Sequence, residues 1–354
     1  MADHDTRNSG IDLAKTLAIF LVVVFHLVTN GAACPKTGYG FYLGSYVKAL
    51  SWCCVDLFAL VSGYLGVTGH PSFRKWGRLW FQVFVTGVLM TLVSRYVFGV
   101  SISGVDCTHL ILPVTSSAYW YFTAYTVLYA VMPVLNAGLR ALDRRQAFGL
   151  SAAVLALICS ASLGARDVYL FNRGYSPIWL IVLYVVGGII RLHLTHLPQV
   201  RWCLAGALFF ASLTAAQEIM LTRAPALAEK LSGRVLAGTY ISPIVVLTAV
   251  FVLMACLQVR VVGRRAKATL GFFSATAFGV YLLHVHPMFF YGVLRDGFAG
   301  LARLGEKNTL GWGAAMLACA FVLHLSCAFV EWLRQKATGV VVSTLPTMMA
   351  RLKR

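Results

Sequence analysis

The chain has 354 residues, of which 59% are hydrophobic and only 12% are charged, and its mean hydropathy is +0.77. Soluble domains carry about twice that fraction of charged residues, so the composition excludes an ordinary soluble globular protein. The net charge of +18 does not indicate a nucleic-acid partner, because the basic residues form short clusters between apolar runs instead of covering one soluble face.

Apolar runs long enough to cross a bilayer recur along the whole chain, which predicts an all-α polytopic membrane helix bundle of about ten spans. Lysine and arginine are concentrated in the even-numbered connections and the C-terminal segment, so both termini are predicted to be cytoplasmic. Residues 1–335 form a single transmembrane domain in this interpretation, and residues 336–354 form a short basic cytoplasmic tail. The predicted spans are 11–30, 46–67, 76–98, 118–137, 146–164, 176–194, 201–222, 238–259, 271–294 and 310–333.

The first span contains three ionisable side chains, of which Lys15 lies near its start and His26 well inside it. Their spacing is close to three helical turns, so both face one side of the helix, roughly 16 Å apart along its axis. Asp12 joins this face and can pair with Lys15. The pattern indicates a track from a cytoplasmic anion-binding end to a deep base. A packing histidine with a lysine that reaches the interface is the structural alternative.

The second span carries Asp56 near its middle and ends in a serine-glycine-tyrosine sequence at residues 62–64, where glycine permits close approach of a neighbouring backbone. Arg74 and Arg78 follow in the second loop and share one helical face. Such a pair is typical of a phosphate-binding cluster, although the same charges also serve as a topology signal.

Two features are predicted on the outer side. Trp120 and Tyr121 open the fourth span and belong either to an aromatic belt at the membrane interface or to a platform that stacks on a sugar. Cys34 and Cys107 fall in outer loops, where an oxidising exterior would permit a disulfide between them. The remaining cysteines lie in spans and lack metal-ligand spacing, so no metal site is predicted.

Carboxylates in the spans are candidate partners for the first-span histidine. Glu218 lies about as deep in the seventh span as His26 does in the first, and Asp56 lies slightly deeper. Either carboxylate could orient the imidazole and stabilise its protonated form, and the sequence leaves both open. The structural alternative is that each carboxylate bonds a neighbouring serine, tyrosine or backbone group for packing.

The last two spans also contain ionisable residues, among them His284 and Glu331. His284 lies near the middle of the ninth span, where it contacts substrate or bonds across helices. Glu331 lies one turn before Arg334 near the inner end of the tenth span, which predicts an interfacial ion pair and not a catalyst.

Taken together, these residues resemble the acyltransferase-3 family, bacterial membrane acyltransferases related to O-antigen, exopolysaccharide and peptidoglycan O-acetylases. The resemblance covers about residues 7–335, and the order and spacing of the motifs carry it. Two positions differ from many members, with Lys15 in place of arginine and Tyr64 in place of phenylalanine, and the second loop lacks the proline that often follows its arginines. The matching features are Lys15-x10-His26 with Asp12 before it, Ser62-Gly63-Tyr64, the basic second loop, and Tyr281-Leu282-Leu283-His284.

The resemblance implies a multi-pass protein of the bacterial inner membrane that moves an acyl group, most simply acetyl, from acyl-coenzyme A to a hydroxyl of a surface or lipid-linked carbohydrate. His26 is then the general base of a direct transfer, with an acyl-histidine relay as the second route. An outer esterase-like domain, fused in some members, would here be a separate partner. The implied catalytic residues are His26, Glu218 and Asp56, the coenzyme-binding residues Lys15, Arg74, Arg78 and Asp12, and the substrate-binding residues Ser62, Tyr64, Trp120, Tyr121 and His284.

A polytopic transporter or flippase for a polysaccharide precursor is the alternative from another class. It would also have about ten spans, buried ionisable groups and outer aromatic residues. The prolines inside the predicted spans do not pair as an inverted repeat requires, which favours the enzyme. Release of free coenzyme A from a thioester would separate the two classes.

Overall fold

A computed structural model describes residues 8–164, 166–231 and 238–352, with side chains as far as residue 338. Most of these residues lie in helices, which are joined by turns and loops, and no β-strand occurs among them. Residues 1–7 of the predicted domain and 353–354 of the predicted tail lie outside the described residues. The helices are α1 (Ser9–Thr29), α2 (Gly38–Ser51), α3 (Cys54–Gly66), α4 (Phe73–Tyr96), α5 (Gly104–Ile111), α6 (Trp120–Ala141), α7 (Arg144–Leu163), α8 (Pro177–His193), α9 (Val200–Arg223), α10 (Pro225–Lys230), α11 (Pro243–Leu257), α12 (Arg264–His284), α13 (Pro287–Phe289), α14 (Ala299–Lys307) and α15 (Thr309–Leu352), with a 3₁₀ turn at Asn172–Gly174 and a π turn at Phe290–Leu294.

The all-α membrane class is confirmed. Eight helical stretches of the described chain are long and apolar enough to cross a bilayer. Two further apolar helices, α8 with 17 residues and α11 with 15, correspond to the predicted spans 176–194 and 238–259. The total of ten spans and the cytoplasmic position of both termini stay predictions.

Two predicted spans are interrupted. The span predicted at 46–67 consists of α2 and α3, which meet at residues 52–53, and α2 begins already at Gly38. The span predicted at 271–294 begins earlier, at Arg264, and its helix ends at His284. Pro287 explains this end, since it forces His286 into an extended conformation with φ −54° and ψ 129°. The chain then continues in α13 and the π turn.

The last helix extends beyond the predicted end of the tenth span at residue 333. α15 runs without a break from Thr309 to Leu352 over 44 residues. Residues 336–352 of the predicted tail are therefore helical and continuous with the rest of α15, and the cytoplasmic position of the tail stays a prediction.

The first helix occupies the centre of the bundle, where it packs against α2, α3, α11, α12 and α15. Asn8 caps α1, because its side-chain oxygen accepts hydrogen bonds from the amides of Gly10 and Ile11 at 2.9 and 3.3 Å. A side chain at Gly10 would clash with the carbonyl of Cys256 on α11. Glycine at this position thus allows the two backbones to cross closely.

Two glycines bring α3 and α8 into backbone contact. A Cβ atom at Gly63 would collide with the backbone of Tyr184, and one at Gly187 would collide with the carbonyl of Leu60. Close approach of this kind is how small residues pack helices in a membrane, where lipid gives no hydrophobic driving force. The close crossing aligns the end of α3 with the end of α8.

The last turn of α3 is held by side chains of α6. The side-chain nitrogen Nδ2 of Asn136 donates to the carbonyl of Gly66 at 2.9 Å, and Nε of Arg140 donates to the carbonyl of Val67 at 2.8 Å. The hydroxyl of Tyr184 in turn donates to the side-chain oxygen of Asn136 at 2.7 Å. Carbonyls at a helix end lack partners within the helix, so α6 and α8 together fix where α3 stops.

The α3–α8 crossing gives a stability prediction. Gly63→Ala places a methyl group against the backbone of α8, and we expect a loss of about 1–3 kcal/mol, as for other overpacked positions. Gly149→Ala on α7 is the matched control, since nothing lies within 4 Å of its Cβ position. Thermal unfolding in detergent measures both, and equal melting temperatures for the two variants would contradict the crossing.

Candidate active site

One face of α1 lines two separate pockets. The positions recur every three or four residues, as one side of an α-helix requires. Lys15 lies in one pocket and His26 in the other, so the expectation that they share one helix face is confirmed. The α1 residues are Asn8 at the cap, Ile11, Asp12 and Lys15 in the first pocket, and Ile19, Val22 and His26 in the second.

The first pocket, called the basic pocket below, lies between the first turns of α1 and the ends of α3 and α8. Arg191 on α8 donates from Nη1 to the hydroxyl of Tyr64 at 3.1 Å, and its guanidinium lies 5.1 Å from the centre of the Tyr64 ring. The stacking and the hydrogen bond fix the cation at the pocket edge. The lining residues are Asn8, Ile11, Asp12, Lys15, Tyr64, Leu65, Thr68 and Arg191.

The basic pocket contains part of the predicted anion-binding set. Lys15 and Asp12 of that set line it, together with Tyr64, which the sequence placed among the substrate-binding residues. Arg74 and Arg78 instead lie on the exposed first turns of α4 and are not among the described residues that line this pocket. Helical spacing placed these two arginines on one face of α4 but could not say which helices surround that face.

The second pocket, called the aromatic pocket below, surrounds His26. Trp120 and Tyr121, the first residues of α6, line it, and Tyr121 is buried. Trp120 is half-buried beside it, and the choice between an interface belt and a sugar-stacking platform stays a prediction. The lining residues are Ile19, Val22, His26, Val55, Phe58, Trp120, Tyr121, Tyr175, Tyr240, Phe278 and Tyr281.

Aromatic rings from separate connections form a cluster in this pocket. Tyr175 precedes α8 and Tyr240 precedes α11, and their ring centres lie 5.3 Å apart. Trp120 lies 4.6 Å from Tyr175, and Trp52 lies 5.2 Å from Tyr240. The site residues predicted from the sequence did not include Tyr175, Tyr240 or Trp52, because nothing in the neighbouring sequence distinguishes them from other aromatic residues near a membrane surface.

A hydrogen bond between two imidazoles lies at the centre of the site. Nδ1 of His26 is 3.0 Å from Nε2 of His284, and Nδ1 of His284 is 2.6 Å from the carbonyl oxygen of Val280. The carbonyl can only accept, so the neutral His284 carries its proton on Nδ1 and accepts on Nε2. His26 must then donate from Nδ1, which leaves its Nε2 lone pair for the pocket that His26 lines.

The predicted carboxylate partners of His26 bond elsewhere. Glu218 accepts from Nε1 of Trp52 at 2.8 Å and pairs with Lys48 at 3.4 Å. Asp56 accepts from Nε1 of Trp179 at 3.1 Å. The partner of His26 is an imidazole in place of either carboxylate. Counting residues along a span gives depth, but not the direction in which each helix turns its side chain.

The prediction of an ion pair at Glu331 is confirmed. Its carboxylate accepts from Nε and Nη2 of Arg334, both at 2.7 Å. Gln82 on α4 and Gln335 on α15 also donate to it, at 3.1 and 2.7 Å. The carboxylate is buried rather than interfacial, so this pair joins α4 to α15 inside the bundle.

Two further predictions concerned Ser62 and the cysteines of the outer loops. The hydroxyl of Ser62 donates to the carbonyl of Phe58 at 3.0 Å, within its own helix, and Ser62 is not among the described residues that line either pocket. Cys34 and Cys107 are both free thiols, so the disulfide considered for them is not formed.

Comparison with known proteins gives one match. A family model named Acyl_transf_3 and described as an acyltransferase domain matches residues 8–331, nearly the whole chain. No curated protein matches the chain, and no solved structure does.

The environment of Asp56 predicts a structural role for its carboxylate. Trp179→Phe removes the indole donor and leaves a fully buried carboxylate without it, which we expect to cost about 1–3 kcal/mol beyond the lost packing. Adding Asp56→Leu should recover part of that loss, because no unpaired polar group then remains. Thermal unfolding of the single and double variants measures the effect, and a double variant less stable than Trp179→Phe alone would contradict it.

Proposed function

This chain belongs to the acyltransferase-3 family of membrane acyltransferases, and we propose that it transfers an acyl group, most simply acetyl, from acyl-coenzyme A to a carbohydrate hydroxyl. The observation that carries the proposal is the orientation of the His26 ring. Its Nδ1 bonds His284, so its Nε2 remains available to the aromatic pocket. The same face of α1 also lines the basic pocket. The family match favours group transfer over transport of a polysaccharide precursor. We further propose that the protein resides in a bacterial inner membrane.

The basic pocket would hold the phosphates of the donor. Lys15 and Arg191 supply the cations, and Arg191 is already oriented by Tyr64. The carboxylate of Asp12 accepts a hydrogen bond from the hydroxyl of Ser274 at 2.6 Å and lies one helical turn from Lys15. Its role is therefore to orient the Lys15 side chain, and it does not itself contact phosphate. The axial distance of roughly 16 Å between Lys15 and His26 is comparable to an extended pantetheine arm, which would bring the thioester to His26.

The aromatic pocket would hold the acceptor. Trp120, Tyr175 and Tyr240 line one space, and the apolar faces of sugar rings pack on aromatic rings. The phenol hydroxyls at the same place can bond to sugar hydroxyls. A carbohydrate held there would present a hydroxyl to Nε2 of His26.

The reaction then follows from the tautomer of His26. A thioester is already activated, so the acceptor hydroxyl chiefly needs a base, and Nε2 of His26 takes its proton as the oxygen attacks the carbonyl carbon. The positive charge formed on His26 is stabilised by the hydrogen bond from its Nδ1 to His284. When the carbon–sulfur bond breaks, the imidazolium returns the proton to the thiolate, and free coenzyme A leaves.

Removing the base tests this assignment. We expect His26→Ala to lower acyl transfer by about 10²–10⁴-fold, the usual contribution of a positioned general base. His196→Ala is the control, because this histidine is exposed between α8 and α9. The assays are release of the coenzyme A thiol from acetyl-coenzyme A and mass spectrometry of surface glycans from cells with and without the protein. A His26→Ala protein that inserts, folds and turns over normally would refute the proposal.

The basic pocket makes a separate prediction about the donor. Arg191→Ala should raise the KM for acetyl-coenzyme A on the order of tenfold, because a charged hydrogen bond to phosphate is lost. Lys15→Ala should act in the same direction. Arg74→Ala and Arg78→Ala serve as controls on exposed positions of similar charge, and we expect little change in either. A larger effect from Arg74 or Arg78 than from Arg191 would return the donor site to α4.

A further inference from the structure

The proposed transfer requires stabilisation of a negatively charged oxygen, which His26 as a general base does not provide. When the acceptor oxygen attacks the thioester carbon, the carbonyl π electrons move to the carbonyl oxygen, which becomes an oxyanion. Enzymes that transfer acyl groups stabilise this oxygen with preoriented hydrogen-bond donors, and losing one such donor lowers kcat by about 10²–10³-fold. A donor is therefore expected in the aromatic pocket near His26.

Tyr281 has the geometry of such a donor. It lies one helical turn before His284 on α12, lines the aromatic pocket and is 9% exposed. Its hydroxyl oxygen accepts a hydrogen bond from the backbone amide of Tyr121 at 3.3 Å. Because this bond uses a lone pair of the oxygen, the hydroxyl proton of Tyr281 is left to donate. The received bond also polarises the hydroxyl and makes it a better donor.

The amide that bonds Tyr281 belongs to the first turn of α6. α6 is 22 residues long, and its N-cap residue, Tyr119, makes no side-chain capping bond. The first residues of α6, Trp120 and Tyr121, line the aromatic pocket, so the positive end of the helix dipole is directed to the same place. Negative charge that develops there is favoured by the helix as well as by the hydroxyl.

A second buried hydroxyl indicates that the pocket is built for a polar ligand atom. The side chain of Tyr121 is 6% exposed and lines the aromatic pocket. Its hydroxyl interacts with the hydroxyl of Ser62 but forms no close hydrogen bond among the described residues. Buried polar atoms without a close partner are rare in folded proteins and often mark bound water or ligand.

We infer that Tyr281 is a catalytic residue, whose hydroxyl donates a hydrogen bond to the carbonyl oxygen of the acyl group in the tetrahedral transition state. The inference rests on the proposed function. Tyr281 keeps its proton throughout, while His26 carries the acceptor proton to the departing thiolate. As the carbonyl forms again, the charge leaves the oxygen and the carbon–sulfur bond breaks.

Tyr281→Phe tests the inference, because it keeps the ring contacts and removes only the hydroxyl. With the purified full chain in lipid nanodiscs, acetyl-coenzyme A and the glycan fraction of the host membrane, we expect kcat to fall about 10²–10³-fold. The Kd for coenzyme A should not change. Tyr119→Phe is the matched control, since this tyrosine is also buried, its hydroxyl has no partner in the described chain, and its ring lies 6.1 Å from that of Tyr281.

A second thioester separates an oxyanion role from a structural one. Fluorine on the acyl group withdraws electrons and stabilises the oxyanion itself, so fluoroacetyl-coenzyme A depends less on a protein donor. The loss of kcat in Tyr281→Phe should then be several-fold smaller with fluoroacetyl-coenzyme A than with acetyl-coenzyme A. A packing defect would lower both rates equally, and that result would overturn the inference.

The remaining outcomes are also distinct. If the wild-type protein releases coenzyme A and Tyr281→Phe does so at the wild-type rate, the inference fails while the proposed function stands. If Tyr119→Phe loses as much kcat as Tyr281→Phe, the hydroxyl of Tyr281 has no special role. If the wild-type protein releases no more coenzyme A than His26→Ala, the proposed function fails and the inference fails with it.

Discussion

The hydrogen bond between His26 and His284 is the interaction on which the arrangement of the centre depends. Inside a helix bundle enclosed by lipid, polar groups must find partners within the protein. These two rings satisfy each other, and the carbonyl of Val280 sets the direction of both bonds. The break in α12 after His284 belongs to the same arrangement, because the helix ends where its histidine meets α1. α1 and α12 therefore cannot rotate independently without leaving a buried polar nitrogen unpaired.

Close backbone contacts place the rest of the site around this pair. Gly63 and Gly187 let α3 and α8 touch, which brings Tyr64 beside Arg191 at the basic pocket. The same α3 also supplies Val55 and Phe58 to the aromatic pocket. Two pockets of opposite character are thus held by one pair of helices, α1 and α3. The basic pocket and the aromatic pocket lie on one face of α1. This arrangement suits a donor molecule that is charged at one end and reactive at the other.

The carboxylates show how far reasoning along single helices reaches. Depth along a span placed Glu218 and Asp56 near the level of His26; Asp56 is fully buried, and the side chain of Glu218 is 11% exposed. Their direction could not be predicted, because it depends on how each helix is rotated against its neighbours. Glu218 bonds Trp52, and Asp56 bonds Trp179, in each case an indole from another helix or its connection. The structural alternative is right that both carboxylates bond neighbouring groups other than His26, but the observed partners are indoles and a lysine in place of the expected serine, tyrosine or backbone groups.

By itself the sequence determined the membrane class, most of the helices, the family and the common face of Lys15 and His26. Each of these follows from composition, from order along the chain or from the period of one helix, which are local properties. Only the tertiary structure decided that His284 is the partner of His26, that Arg191 lines the basic pocket, and that Tyr175 and Tyr240 join Trp120. These are contacts between segments far apart in the chain. They depend on the crossing and rotation of helices, which small residues and helix breaks set jointly for the whole bundle.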